Sequence, residues 1–382
     1  MNLDLSDEQR MIREVARDFA EREVRPIAAE IDRDARFPHE TIKRMGELGL
    51  MGILTPEKWG GAGGDALAYA VVMEEIARVC GSHAVVLSVN ASLFCDPIYK
   101  YGNDAQRERF LKPVASGHEI GCFALTEPQA GSDATNQHTL AVRDGDHYVV
   151  NGRKVFITSG REASTALVFV QTDQAKGSHG ISALLIEKSR AGFLVPKTEE
   201  KLGIRASDTA EFVFEDCRVP VENRLGEEGQ GFKIAMSSLD GGRIGIAAQA
   251  LGLAVGAYER AVAYARERKS FGVPIGQHQM VQWMLADMIT AIEGARLLIW
   301  KAASLKDAGR PFSLYSAMAK LFAAEMAMKV TTDAVQVHGG YGFIREYEVE
   351  RFFRDAKITQ IYEGTSQIQK LVIARSILGG KA

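Results

Sequence analysis

LAVRDGDHYVVNGRKVFIT, residues 140–158, alternates Val, Tyr, Ile and Phe with polar positions and carries Asp144-Gly145 and Asn151-Gly152 inside it. The alternation reads as short strands at 140–143, 147–150 and 154–158, with each Asx-Gly pair supplying a tight turn. Further runs rich in Val, Phe and Ile follow at 166–172, 180–187 and 210–219. Strands of that length at that spacing predict a small sandwich or barrel between about 121 and 232.

Outward from this block the period changes to helical. On the N-terminal side Met11, Ile12, Val15, Ala16, Phe19, Ala20 and Val24 recur at three- and four-residue spacing, one face of an amphipathic helix. Ser6 with Gln9 forms a capping box, and Pro26 is expected to mark the end. Helical patterns recur at 39–50, 66–80 and 104–116, around the glycine cluster Gly60, Gly61, Gly63 and Gly64. On the C-terminal side Ala, Leu, Met and Ile dominate 233–266, 278–306, 313–338 and 366–377, with Arg268–Gly276 and Arg310-Pro311 as connections; these lengths suit a four-helix bundle. The expected fold is α+β multidomain: an N-terminal helical domain (1–120), a middle β-barrel or sandwich domain (121–232) and a C-terminal four-helix bundle (233–382).

Composition bounds the function. The 382 residues are 46% hydrophobic and 25% charged, which is globular and enough for two or three domains at ~150 residues each. With 46 basic against 49 acidic residues the net charge is −3, and no basic block offers a footprint for nucleic acid. Mean hydropathy is −0.09, and no stretch approaches the ~20 apolar residues of a membrane span. Cys80, Cys95, Cys122 and Cys217 lie far apart, suggesting neither a zinc ribbon nor a disulfide framework. The start, MNLDLSDEQR, lacks both the apolar run of a signal peptide and the Arg- and Ser-rich look of a transit peptide. A cytoplasmic location is the expectation.

Standard cofactor and nucleophile motifs are missing: no Gly-x-Gly-x-x-Gly after a strand, no P-loop, no His-Glu-x-x-His, no Gly-x-Ser-x-Gly, and no histidines at metal-ligand spacing. Three polar, glycine-bearing segments remain. Phe123 to Asp133, FALTEPQAGSD, gathers hydroxyls with Gly and Pro at a strand end, suited to holding a polar cofactor or simply to a capped surface turn. QVHGGYGF, Gln336 to Phe343, could let backbone approach a phosphate, although a helix C-cap and loop would use one or two of its glycines. In IYEGTSQIQ, Ile361 to Gln369, Glu363 precedes Gly-Thr-Ser with apolar neighbours. It reads either as a loop carboxylate before a capped helix or as a base desolvated into the working pH range.

Together the three segments resemble the acyl-CoA dehydrogenase family over essentially the whole chain. Ala124 to Asp133 resembles one family signature, with Asn136 where a small residue is usual; Gln336 to Glu346, with Arg351 and Asp355, resembles the other. Leu239 to Ala247 and Ile361 to Thr365 look most like the short-chain, butyryl-type members. Isovaleryl- and long-chain-type members carry their acid at what is here Gly242, so the base is expected at Glu363.

The resemblance implies removal of a proton and a hydride from an acyl-CoA, giving the trans-2-enoyl-CoA, with FAD as hydride acceptor and an electron-transfer flavoprotein taking the electrons. Phe123, Leu125, Thr126 and Ser132 would run beside the flavin and pyrophosphate. Phe156 (where Trp is commoner) would stack near the ring and Thr158 would bond to it. Thr365 and Gln367 would touch FAD at the helix start. Arg268, Phe271, Gln279, Gln336, Gly339 and Gly340 would be lent by a neighbouring subunit to the adenosine end, implying a homotetramer built as a dimer of dimers. Ser132, Asp240, Arg243, Tyr362 and Gly364 would meet the acyl-CoA, and no metal is expected. Residues 83–99, HAVVLSVNASLFCDPIY, hold no Lys or Arg, which favours a short apolar acyl group, straight, branched or alicyclic, over a dicarboxylate. The alternatives are an acyl-CoA oxidase or flavin monooxygenase on the same scaffold, or a non-catalytic helical binding protein.

Overall fold

A computed structural model describes residues 4–379. Ser6 caps α1 (Asp7–Phe19) as its sequence predicts: its hydroxyl accepts from the Gln9 amide at 3.1 Å while the Gln9 side chain accepts from the Ser6 amide at 2.9 Å. Pro26 does not end the helix. The chain widens into a π-type turn over Ala20–Val24 and continues as α2 (Arg25–Asp34), with Pro26 in its first turn. The wide turn before it, in which the Arg25 amide reaches back to the Ala20 carbonyl, is what lets the helix pass a residue that lacks an N–H. The N-terminal part continues with α3 (His39–Glu47), α4 (Ala66–Ala77) and α5 (Gly81–Ser88). A second wide turn (Val89–Cys95) then leads to α6 (Asp96–Tyr101), α7 (Asp104–Gln106) and α8 (Lys112–Ala115).

The middle part is one eight-stranded sheet: β1 (Gly121–Ala124), β2 (Leu140–Asp144), β3 (His147–Thr158), β4 (Thr165–Gln171), β5 (Ile181–Glu187), β6 (Phe193–Thr198), β7 (Thr209–Pro220) and β8 (Arg224–Leu225). Its order is β6-β7-β3-β2-β4-β5-β8, with β1 joined in parallel to β4. The Asp144-Gly145 pair turns the β2–β3 hairpin, with Gly145 at φ +62°. Asn151-Gly152 is not a turn. It lies inside the twelve-residue β3 at a bulge opposite β7. Asn151 and Asp216 exchange hydrogen bonds across that bulge at 3.0 and 2.8 Å, and a Cβ on Gly152 would stand 2.6 Å from the Thr139 Cα. The glycine serves a close backbone approach rather than a reversal.

The C-terminal part begins with the 37-residue α9 (Gly231–Glu267). A small ribbon follows, β9 (Lys269–Ser270) and β10 (Val273–Pro274), then α10 (Gln279–Asp307), α11 (Ser313–His338), α12 (Val349–Ala356) and α13 (Ser366–Leu378). The helices at the two ends of the chain share one hydrophobic core, in which Phe19, Ile31, Met45 and Ile76 join Leu251, Ile292, Val330 and Phe352. A separate core fills the sheet. Between them sits a small apolar cluster of Val85, Val89, Leu93 and Ile204, flanked by Phe123, Leu239, Ile358 and Tyr362. All three parts of the chain meet there. Among the described residues no helix is long and apolar enough to cross a membrane, and no group of three or more His, Cys, Asp or Glu is placed to hold a metal.

Candidate active site

At this junction the chain leaves α12, makes a short 3-10 turn over Lys357–Gln360 and reverses through Glu363 at φ +51° and Gly364 at φ +92° before entering α13. A left-handed glutamate costs roughly 1–2 kcal/mol, so neighbouring groups must hold it. Gln369 Nε2 donates to the Glu363 and Gly364 carbonyls at 3.2 and 2.9 Å, and the buried Lys320 Nζ donates to the Gly364 carbonyl at 2.7 Å. Thr365 is the N-cap of α13, its hydroxyl accepting from the Ile368 amide at 3.2 Å.

The strained turn aims the Glu363 side chain at α9. A Cβ on Gly242 would lie 2.3 Å from Glu363 Oε2 and 2.9 Å from Leu93 Cδ2, so only glycine leaves space for the carboxylate. The two places where the resemblance puts an acid in different branches of the family are therefore adjacent in space. Glu363 Oε2 is buried without a hydrogen-bond partner. Burial pushes its pKa up to about 7, against the opposing pull of Lys320 and Arg243. Lys320 is pulled down to about 8 by the same desolvation. Arg243 is itself engaged, donating to Asp240 at 2.5 Å, while Asp240 also accepts from Ser313.

Glu363 lines a cavity of about 210 Å³ with Phe123, Leu125, Thr126, Ser132, Phe156, Thr158, Arg243, Tyr362 and Gly364. Sequence positions separated by up to 241 residues thus converge as expected. Thr126, Ser132 and Thr158 spend no side-chain hydroxyl on an internal bond among the described residues. Phe156, at φ +60°, is 65% exposed. The segment carrying Thr126 and Ser132 is tied to β3 from below. Lys154, with no exposure, donates to the Leu125 carbonyl at 3.2 Å, to Glu127 at 2.6 Å and to Gln137 at 2.5 Å. Glu127 in turn accepts from the His138 and Thr139 amides at 2.6 and 3.0 Å.

Other expected site residues lie elsewhere. Arg268, Gln336, Gly339 and Gly340 line a separate open depression of about 470 Å³, walled by Tyr264 and His338 stacked at 4.3 Å. It shares no lining residue with the first cavity. Phe271, 95% exposed, and the exposed Gln279 and Gln367 line neither, nor do Asp240 and Thr365. Within 339–342, Gly339 turns at φ +60°, and a Cβ on Gly342 would meet the Val335 carbonyl at 2.4 Å, whereas Gly340 faces open space. Lys154, Lys320, Gln249 and Gln369 were not legible as site residues. Lysine at an inward β3 position, and on the small-residue face of α11 beside Ala317, Ala323 and Ala324, was the available signal.

The fold and the site define a class: an α–β–α enzyme that presents one desolvated carboxylate to a slot between its sheet and its helical bundle. Models of the acyl-CoA dehydrogenase N-terminal, middle and C-terminal domains match residues 6–118, 122–217 and 229–378. A curated relative from Clostridium acetobutylicum, "Acyl-CoA dehydrogenase, short-chain specific", is 55% identical, covering 99% of this chain and all of its own length. The solved butyryl-CoA dehydrogenase of Megasphaera elsdenii matches with a TM-score of 0.97 and 47% identity, over 99% of this chain and 100% of that one. A chain solved in work on the electron transferring flavoprotein of Acidaminococcus fermentans and flavin-based electron bifurcation matches with a TM-score of 0.98 and 50% identity, over 99% and 100%. The chain belongs to the acyl-CoA dehydrogenase family and is an enzyme of it.

Proposed function

We propose that this chain oxidises a short-chain acyl-CoA to the trans-2-enoyl-CoA, with Glu363 as base and FAD as hydride acceptor. The observation that carries the reading is the Glu363 carboxyl, its Oε2 buried and unpartnered and its pKa raised to about 7 by desolvation, on the wall of a cavity that Thr126, Phe156 and Thr158 also line. A base poised near neutrality is suited to a weak carbon acid. Similarity to short-chain-specific and butyryl-CoA dehydrogenases supports the substrate class.

The residues present fit FAD: unspent hydroxyls, an exposed aromatic face at Phe156, and open space at Gly131, where a Cβ would meet nothing within 4 Å. When bound, FAD supplies the hydride acceptor for the β carbon. Phe123, Leu125, Thr126, Ser132, Phe156 and Thr158 would hold its ring and pyrophosphate, with Thr365 and Gln367 beside it. Arg268, Phe271, Gln279, Gln336, Gly339 and Gly340 would serve the adenosine end of a neighbouring copy's FAD. Ser132, Asp240 and Arg243 would hold the CoA arm, while Tyr362 and Gly364 flank the acyl group. Glu363 takes the α proton, and its backbone N–H is a donor for the thioester oxygen. A homotetramer, an electron-transfer flavoprotein as acceptor and a cytoplasmic location complete the proposal; the Acidaminococcus similarity supports the acceptor.

Glu363→Gln keeps the isostere and removes the base. It is expected to retain flavin and acyl-CoA binding but to slow anaerobic flavin bleaching by roughly 10²–10⁴-fold; unchanged bleaching refutes the assignment. In the same stopped-flow instrument, reduced flavin that reacts quickly with oxygen and slowly with an electron-transfer flavoprotein would favour the oxidase reading.

A further inference from the structure

The cavity's lining residues on α9 stop at Arg243. Gly242 and Gly245 lie three residues apart on the same helix, on neighbouring turns of one face. The first notch is filled by the Glu363 carboxylate. The second is filled from α4: a Cβ on Gly245 would lie 2.0 Å from the Tyr69 hydroxyl, 2.8 Å from its ring and 2.9 Å from Ser88 Oγ. Tyr69 has no exposure, and its hydroxyl meets Ser88 Oγ at 3.0 Å. Ser88 directly precedes Val89, which lines the cavity with Leu93. One turn further, Gln249 accepts from the Tyr362 hydroxyl and donates to the Gly81 carbonyl at 2.8 Å. Past the carboxylate, the groove along α9 is therefore closed twice by side chains reaching across to it.

We propose that Tyr69, seated in the Gly245 notch, sets the upper length of the acyl chain. The inference rests on the reading of Glu363 as the base. The α carbon must sit at the carboxylate, and α9 lines the open cavity through Met236, Leu239 and Arg243. With the CoA arm on that open side, held by Ser132, Asp240 and Arg243 as proposed above, the chain's far end runs on toward Gly245. The rise from Gly242 to Gly245 is roughly 4.5 Å, room for about two or three methylenes beyond the reacting carbons. A longer chain must displace Tyr69 and leave Ser88 without its partner, a specificity device that works by exclusion.

The test uses the holoenzyme of wild type, Tyr69→Leu and Tyr69→Ala, with anaerobic flavin bleaching and kcat/KM for butyryl-, hexanoyl- and octanoyl-CoA. Wild type is expected to prefer butyryl- over octanoyl-CoA by at least ten- to a hundredfold. Tyr69→Leu should narrow that ratio and Tyr69→Ala should bring it close to one, chiefly by raising kcat/KM for octanoyl-CoA. Should Tyr69→Ala not fold, Tyr69→Leu carries the comparison. Variants that lose activity equally on all three thioesters, or keep the wild-type length profile, overturn the role of Tyr69. Wild type that bleaches with none of the three overturns the functional reading itself, so the two failures are distinguishable.

Discussion

At the scale of the residue, Glu363 couples reactivity to stability. As an acid raised to about 7, it must lose its proton before it can act, so kcat/KM for a short acyl-CoA should rise through about pH 7 and level off above it. Lys320, whose charge holds that pKa down, is the test of cause. Lys320→Met should move the rising limb to higher pH, measured as the pH profile of kcat/KM, and an unmoved limb would show that the lysine serves only the Gly364 carbonyl. The same shift has a stability sign. Folded Glu363 binds its proton more tightly than the unfolded chain, whose value lies near 4.5, so stability falls as pH climbs from about 4.5 to about 7. The tighter proton binding of the folded state corresponds to about 3 kcal/mol. Glu363→Gln escapes that cost and should be more thermostable than wild type at pH 8 but not at pH 4.5, a comparison made by thermal melts at both values.

At the scale of the element, helix boundaries were legible where side chains alone decide them. The capping box at Ser6 and Gln9 and the long periods of α9, α10, α11 and α13 fall within a residue or two of the patterns in the sequence. Readings failed where the neighbouring backbone or a tertiary partner decides. Pro26 is carried by the wide turn before it, and Asn151-Gly152 is held flat by Asp216 and Thr139. Glu363 and the Phe123–Ser132 segment stand out in the sequence as polar, glycine-bearing stretches open to a bland reading. The family resemblance is what assigns them, with Phe156 and Thr158, to one site, and the structure brings these residues to one cavity. Lys154 does not stand out, since a single lysine in a strand reads as solvated until its three buried acceptors are seen. Lys154→Met leaves the buried Glu127 charge with its amide donors but without its cation, and breaking a buried ion pair from one side costs about 3–5 kcal/mol. It should also loosen the 125–139 segment, so that denaturant melts show lower stability and FAD titration of the apoprotein shows weaker binding. A folded variant with unchanged FAD affinity would mean that the segment keeps its shape without the lysine.

At the scale of the whole molecule, both ends of the chain are locked into one helical core, reinforced where Arg78 pairs with Glu21, Glu75 and Glu259 and where Glu348 pairs with Arg25 and Arg260. The Glu348 contacts anchor the chain just after the Gln336–Glu346 segment, which lines the open depression and not the active cavity. Two depressions without a common lining residue cannot be served by one cofactor bound entirely within the first. If the second receives the adenosine end of another copy's FAD, cofactor retention depends on the oligomer. Arg268, which rests over the Tyr341 ring at 5.3 Å, supplies a cation for that contact. Arg268→Ala removes one charged hydrogen-bonding group worth about 1.5–3 kcal/mol, an expected ten- to hundredfold rise in the FAD dissociation constant with little change in the apoprotein's melting temperature. Wild type should lose FAD on dilution in step with subunit dissociation, followed by flavin fluorescence and sedimentation on the same samples. Retention that is independent of dilution and untouched by Arg268→Ala would place all of FAD's binding energy inside a single chain.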